Sequence, residues 1–398
     1  MTGVEDQLRD AYRSAARTVR PETIRPETMR IAAPTIPRPR LGSMFVPLAA
    51  AAAVVLAIAL SVAVPRLLAS SGGSATSTGT VSPLPPFQVI VTVTDGGRRS
   101  ELRVERAATG RVVSWLAPPG RAQNWGVIAA TGDATKFIVT AGAQSGACGS
   151  TRLYTLTLSA RGSITGLVPL AVPDVPGEIN TLAASSDGST VAYAMDWCHD
   201  DTVLATVGVI TGRSTRQWTG SNDQFFGPNH VTLSADGSTL GFTSAQMTGR
   251  GIDDTAWVLS TNSPPGNLST AVRNVYSHTY TGGAGHPMTM LESALISPDG
   301  GKVYLLTNTT SASGKTVTML IAKRTADGTS AGTIARWDGG LPDSLLPVSG
   351  RMLVWALGTF EPYGKPDYVA YLINPAARTP ATVRMHGVPY AQWLALAW

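Results

Sequence analysis

The chain has 398 residues, 14% charged and 43% hydrophobic, with 41 glycines and 27 prolines, a balance that suits a turn-rich β protein and argues against a disordered chain or a helical bundle. Its formal charge of +5 is concentrated at the start: residues 1–43 hold eight Arg against five acids and Arg66 follows, which leaves 22 basic and 21 acidic residues for residues 83–398. A main domain so nearly neutral speaks against a nucleic-acid partner.

Residues 4–19 read as a short amphipathic helix, with Val4, Leu8, Tyr12, Ala15 and Val19 near one face and Arg9, Arg13 and Arg17 among the polar positions. Two copies of a five-residue unit follow, Arg20–Ile24 and Arg25–Met29, and then Pro34, Pro37 and Pro39. Recurrent Pro without packing partners gives an extended linker. Residues 1–43 are thus expected as a tail, either a solvated spacer or a docking strip for a cytosolic partner or anionic lipid. The tail has neither His nor Cys, which excludes a zinc-type anti-sigma domain there.

Residues 44–64, MFVPLAAAAAVVLAIALSVAV, carry no charge. At about 1.5 Å per residue they span roughly 31 Å, the thickness of a hydrocarbon core. The tail arginines, Arg38 and Arg40 among them, outweigh Arg66 on the other flank, so the expected arrangement is a single span with the N-terminus cytoplasmic. The leader and the apolar run are both longer than an ordinary cleaved signal peptide, although Ser61-Val62-Ala63 has the small residues of a cleavage site. Residues 65–82, rich in Ser, Thr and Gly, form a flexible outer linker. The folded domain, residues 83–398, is then expected outside the cytoplasm.

Repetition decides its fold. Segments 128–142, 182–196, 231–245 and 294–308 each read as an apolar strand, a tight turn and a second apolar strand. The turns are Gly132-Asp133, Asp187-Gly188, Asp236-Gly237 and Asp299-Gly300, and Asp-Gly between alternating apolar runs is a strong hairpin signal because Gly takes positive φ without steric cost. A weaker fifth copy spans 345–358, and the turn spacings of 54, 49, 63 and about 50 residues match propeller repeats. Second hairpins lie between them: Leu102–Leu116, Leu153–Leu170, Val203–Trp218, Trp257–Val275, Val317–Trp337 and Tyr368–Met385.

Two hairpins per repeat make a four-stranded blade. Six second hairpins and five first hairpins leave one blade short, and residues 87–93 and 390–398 are the two unpaired strands that complete it. The expected fold is therefore an all-β, six-bladed β-propeller closed by its C-terminal strand, preceded by one transmembrane helix and a mostly disordered tail. A ring of such sheets buries every face between neighbours, which no blade achieves alone.

The pattern Ser/Ala-x-Asp-Gly-x-x-Val/Leu-x-Phe/Tyr, at Ser185–Tyr193 and Ser234–Phe242 and, one residue shorter, at Ser297–Tyr304, resembles the repeats of TolB-like and WD-repeat-like propellers. Tail, span, linker and propeller together look like the membrane-anchored propeller proteins of actinobacteria. That resemblance implies a binding or assembly platform.

For chemistry the residues offer little. Cys148 and Cys198 fall fifteen and eleven residues past equivalent turns of successive blades, so a structural disulfide is expected. Closing a loop of this length contributes roughly 4 kcal/mol on the chain-entropy estimate. Asp196, His199, Asp200 and Asp201 surround Cys198 without the Gly and distal Glu of a calcium loop, and turn-capping acids explain them. His230, His278, His286 and His386 show no metal-pair spacing. Phosphate-binding, dinucleotide and nucleophile-elbow motifs are absent, so no cofactor, metal or catalytic residue is expected. Trp115, Trp218 and Trp337 recur at the ends of second hairpins, as packing residues between blades.

The expected function is a membrane-anchored extracytoplasmic binding, sensing or scaffolding module with a protein or small-molecule ligand at one propeller face. The alternative is a propeller hydrolase or lyase at the channel mouth. Convergence of Asp196, His199, His230, His286 and Glu292 on the axis would favour the enzyme, and dispersion the module.

Overall fold

The computed structural model describes residues 85–94, 99–120, 123–143, 149–199, 202–221, 226–248, 251–280, 287–338, 342–348, 351–357, 368–374, 379–385 and 393–397. The tail, the apolar segment 44–64, the outer linker 65–82 and Cys148 lie outside them. No helix among the described residues is long and apolar enough to cross a membrane.

These residues build six sheets, four of them four-stranded and two five-stranded, whose four main strands are antiparallel and run outward from a common axis. Blade one holds β1 (Phe87–Thr94), β2 (Arg99–Arg106) and β3 (Val112–Leu116). Blade two holds β4 (Gln123–Ala130), β5 (Lys136–Ala143), β6 (Ser150–Leu158) and β7 (Ile164–Pro169), and a short β8 (Val175–Pro176) pairs beside β6. Blade three runs β9 (Glu178–Ala184), β10 (Thr190–His199), β11 (Thr202–Thr211) and β12 (Ser214–Ser221). Blade four has β13 (Phe226–Leu233), β14 (Thr239–Thr248), β15 (Gly251–Ser260) and, after an insertion, β17 (Val272–Tyr280). The insertion carries β16 (Gly266–Asn267) and the one-turn helix α1 (Leu268–Ala271).

Blade five is β18 (Met288–Ile296), β19 (Lys302–Thr310), β20 (Thr316–Arg324) and β21 (Ser330–Asp338). Blade six is β22 (Pro342–Val348), β23 (Arg351–Leu357), β24 (Tyr368–Asn374) and β25 (Thr379–Met385). The last strand, β26 (Trp393–Ala397), returns to blade one and pairs with β1, with Val89 opposite Ala397 and Ile90 opposite Leu396. The C-terminus thus clasps the first blade, as counting hairpins requires.

The first strands touch in succession from β26 through β4, β9, β13 and β18 to β22, and apolar cores fill the seams. Val89, Val91, Leu102 and Val104 of blade one meet Trp125, Phe137 and Leu156 of blade two. Ala192, Ala194 and Val207 of blade three meet Leu240 and Phe242 of blade four. Each large side chain buried in this way contributes roughly 1.5–3 kcal/mol. The third blade shows how tight the fit is, because Tyr193 lies flat on Gly208, where a Cβ would fall 2.1 Å from the ring. Burial pushes the Tyr193 hydroxyl up to about 12, and Gln217 donates to it at 2.7 Å.

Polar bonds repeat from seam to seam. A hydroxyl of one blade accepts a first-strand N–H of the next: Ser100 from Trp125, Thr181 from Val231 (3.2 Å), Thr232 from Ile296 (3.1 Å) and Ser293 from Leu345 (3.3 Å). The insertion of blade four reaches back to blade three. There β16 extends its outer edge, and the Pro264 carbonyl accepts from the buried Trp218 indole at 2.7 Å. Covering an edge strand removes a template for aggregation.

Candidate functional site

Antiparallel strands alternate in direction, so the propeller has two unlike faces. The Asp-Gly turns joining first to second strands share one, the turn face. Connections between blades, and those between second and third strands, share the other, the loop face.

On the turn face the same geometry recurs. Ser185 Oγ donates to Asp187 Oδ1 at 2.7 Å, that oxygen also accepts from Ser189 N at 2.9 Å, and Ser185 Oγ accepts from Thr190 N at 3.0 Å. Ser234, Asp236, Ser238 and Thr239 repeat it in blade four, and Ser297, Asp299, Gly301 and Lys302 in blade five. The serine hydroxyl and the turn amide favour the ionised carboxylate, which holds Asp187 down at about 2 and lowers Asp236 and Asp299 in the same way. Backbone bonds then chain the turns: Gly132 N to Ser186 O (2.7 Å), Ser186 N to Ala235 O (2.9 Å) and Ala235 N to Pro298 O (2.8 Å). These acids are committed to structure.

The loop face differs. Every first strand carries a β-bulge, in its loop-face half or near its centre: Gly126–Val127 in β4, Asn180 in β9, Glu292 in β18, Asp343 in β22, Leu394 in β26 and, in β13, both Gly227–Pro228 and His230–Val231 just past the centre. A bulge leaves residues outside the ladder and re-aims the chain, and bulges gather near functional sites. The bulges place Asn180, His230, Glu292 and Asp343 on four successive blades around the axis. The six first strands contain Glu178, Glu292 and Asp343 and no Lys or Arg.

His230 is the one non-glycine residue with positive φ among the described residues, at 49°, a conformation that costs of order 1–3 kcal/mol and tends to persist at functional positions. Its Nδ1 stands 3.4 Å from Ser293 Oγ of the next blade, and burial holds the imidazole below the ordinary histidine range and so neutral. Glu292 Oε1 accepts from Asn308 Nδ2 at 2.9 Å, and Thr318 Oγ1 donates to Asn308 Oδ1 at 2.5 Å. This ladder leads from the axis into blade five.

A cleft of about 220 Å³ opens between β4 and β9. Asn124, Gly126, Ser150, Thr151 and Glu178 are among its walls.

Of the five residues whose convergence would mark an enzyme, His230 and Glu292 stand on adjacent first strands. Asp196 and His199 sit on the second strand β10, where only their backbone is described, and His286 lies outside the described residues, as do Asp200, Asp201 and His386. Cys198 is on β10, Cys148 is not described, and no disulfide occurs among the described residues. His278 is on β17, the outermost strand of blade four, opposite Asp254. Asp254 accepts from Leu291 N of blade five at 3.1 Å, and burial pushes its carboxyl up. That pairing escaped sequence reading because 24 residues separate its members.

Trp218 is buried and Trp337 packs on Tyr371 of blade six, ring centroids 5.5 Å apart, both as expected of packing residues. Trp115 corrects that expectation, being 61% exposed. It lies on the outermost strand of blade one opposite Arg103, on the face turned away from the core shared with blade two.

No protein-family model matches the sequence, and no curated protein does. Its structural neighbours are TolB-like β-propeller proteins. TolB from Agrobacterium tumefaciens is 13% identical with a TM-score of 0.42, over 78% of this chain and 91% of that one. An oligogalacturonate lyase in complex with manganese is 13% identical with a TM-score of 0.39, over 76% and 85%. Prolyl oligopeptidase B from Galerina marginata is 11% identical with a TM-score of 0.38, over 77% of this chain and 52% of that one. A lyase and an oligopeptidase thus stand among these neighbours beside TolB.

Proposed function

We propose that the chain is a membrane-anchored binding module, with residues 1–43 cytoplasmic, 44–64 spanning the bilayer, and a propeller that takes its ligand at the axial mouth of the loop face outside the cytoplasm. What supports the reading is the contrast between faces. Turn-face acids are consumed by their turns, whereas on the loop face every first strand carries a bulge and a cleft opens beside them. The described chain enters blade one on the turn face, where Ala107 N bonds Pro86 O, so the first strand of the ring does not occupy the loop face at its start.

A photo-crosslinking amino acid at exposed Asn180, compared with one at exposed Ser189, tests this in the native membrane. The reading expects adducts from position 180 and few from 189, with the propeller accessible to protease added outside the cell. Adducts from 189 alone, or a protected propeller, would overturn it.

The enzyme reading keeps one observation in its favour, the neutral imidazole of His230 one blade away from Glu292. Both side chains are engaged by structural partners, Ser293 and Asn308. A hydrolytic or eliminating activity lost equally in His230→Gln and Glu292→Gln would move the assignment to that class.

A further inference from the structure

The cleft between blades two and three has a definite chemistry. Its volume of about 220 Å³ is below the roughly 300–1,000 Å³ of drug-sized sites and suits a single inserted side chain. Its walls combine backbone and small polar groups with Trp125 and Ile179. Gly126, Gly142, Gly149 and Gly177 line it, and Thr151 Oγ1 donates to the Gly177 carbonyl at 2.7 Å, which fixes the wall behind it. Among the described residues Glu178 is the one ionisable group that lines it, is exposed, and has no ion-pair partner. Arg152, two residues beyond Ser150, is instead paired with Asp174 at 3.7 Å.

Charge on the six first strands is segregated in the same sense. Residues 83–398 contain 22 basic residues, yet none falls on the six strands that surround the axis, where three acids do. A concave mouth lined by one sign of charge concentrates ligands of the opposite sign.

We propose that this cleft receives a cationic side chain of a partner polypeptide, a guanidinium or an ammonium, with Glu178 as its counter-charge. The proposal rests on the reading of the loop face as the binding face and names what that face recognises. Backbone carbonyls and the Ser150 hydroxyl supply acceptors of the kind such N–H donors need, and the narrow walls exclude bulkier ligands. Glu178 is on the surface, so the charge pair is screened and its loss is felt in affinity rather than in folding.

The test uses the full chain in detergent, with Nα-acetyl-arginine amide, Nα-acetyl-lysine amide and the uncharged isostere Nα-acetyl-citrulline amide as probes in calorimetric titration. Expected are binding of one or both cationic amides and none of citrulline amide. Glu178→Gln should weaken binding about fivefold or more, and Glu178→Arg should abolish it. Asp187→Asn on the turn face should leave binding unchanged, and circular dichroism should confirm that all three variants are folded. Equal binding of arginine and citrulline amides, no binding of either cation, wild-type affinity in Glu178→Gln, or an equal loss in Asp187→Asn would each overturn the proposal. If crosslinks at position 180 persist while the amides fail to bind, the binding face stands and the cation-receiving cleft falls. If the crosslinks fail as well, the functional reading falls with it.

Discussion

The two faces are built from opposite ends of the same strands, and they differ in what their polar groups are used for. On the turn face one motif of Ser, Asp and Gly recurs in blades three, four and five, each Asp oxygen filled by a hydroxyl and an amide. On the loop face the first strands depart from the ladder in every blade, and the residue at the departure changes from Gly to Asn to His to Glu to Asp to Leu. A repeated solution marks a common structural need, closure of hairpins. A position that keeps its backbone irregularity and varies its side chain is where a ring of equivalent blades becomes a particular site.

The sharpest way to break the comparison is to remove the clasp on which both faces depend. Truncation after Gln392 deletes β26 and leaves the buried edge of β1, with Val89, Ile90 and Val91, without its partner. The expected outcome is loss of the cooperative melting transition by calorimetry. An unchanged transition would show that the six sheets do not depend on the terminal strand. Within the turn face, Gly237→Val is a damaging single change. Gly237 has a φ of 72°, and a Cβ there would lie 2.8 Å from Thr190 Cβ of the neighbouring blade. Strain and overpacking together predict a cost of about 3 kcal/mol in chemical denaturation.

How much of this was legible in the sequence follows from the range of each interaction. The blades were legible because Asp187-Gly188 and its equivalents are local: a turn needs positive φ and a side chain that bonds its own backbone two residues on, and both are written in adjacent letters. The clasp was legible by counting, since an odd number of hairpins leaves two strands to pair. The bulges were not, because an extra residue in β9 or β18 exists only relative to the register of the strand beside it. The cleft was not either, since Gly126 and Glu178 meet only when two blades pack. Trp115 read as a packing residue by position in its repeat, yet the side it presents is decided by tertiary contacts of blade one.

A smaller pair of substitutions sharpens the contrast between faces. Ser234→Ala deletes a hydroxyl that donates to Asp236 and accepts from Thr239 N, leaving both groups short of a partner, at a cost of about 1–2 kcal/mol. Asn180→Ala, at an exposed bulge, should cost less than Ser234→Ala, at most about 1 kcal/mol. The turn-face change should leave ligand binding intact, while the loop-face change weakens it. Equal effects of both on stability would mean that the bulges are structural elements like the turns.

The gentlest effect is in pH, and the two faces respond in different windows. His230 has its pKa lowered by burial, so as pH falls below the ordinary histidine value of about 6.5 the unfolded chain takes up a proton that the folded chain refuses, and stability declines. The turn aspartates are also lowered, Asp187 to about 2, so their contribution is complete above the unfolded value of about 3.9 and is lost as pH falls toward 2. Denaturation followed from pH 8 to pH 2 should therefore show two declines, one beginning near neutrality and one below pH 4. His230→Asn, which tolerates the same positive φ, should flatten the first and spare the second, whereas Asp187→Asn should reduce only the second. A first decline that survives His230→Asn would place the titrating group elsewhere and remove the neutral imidazole from the axial mouth.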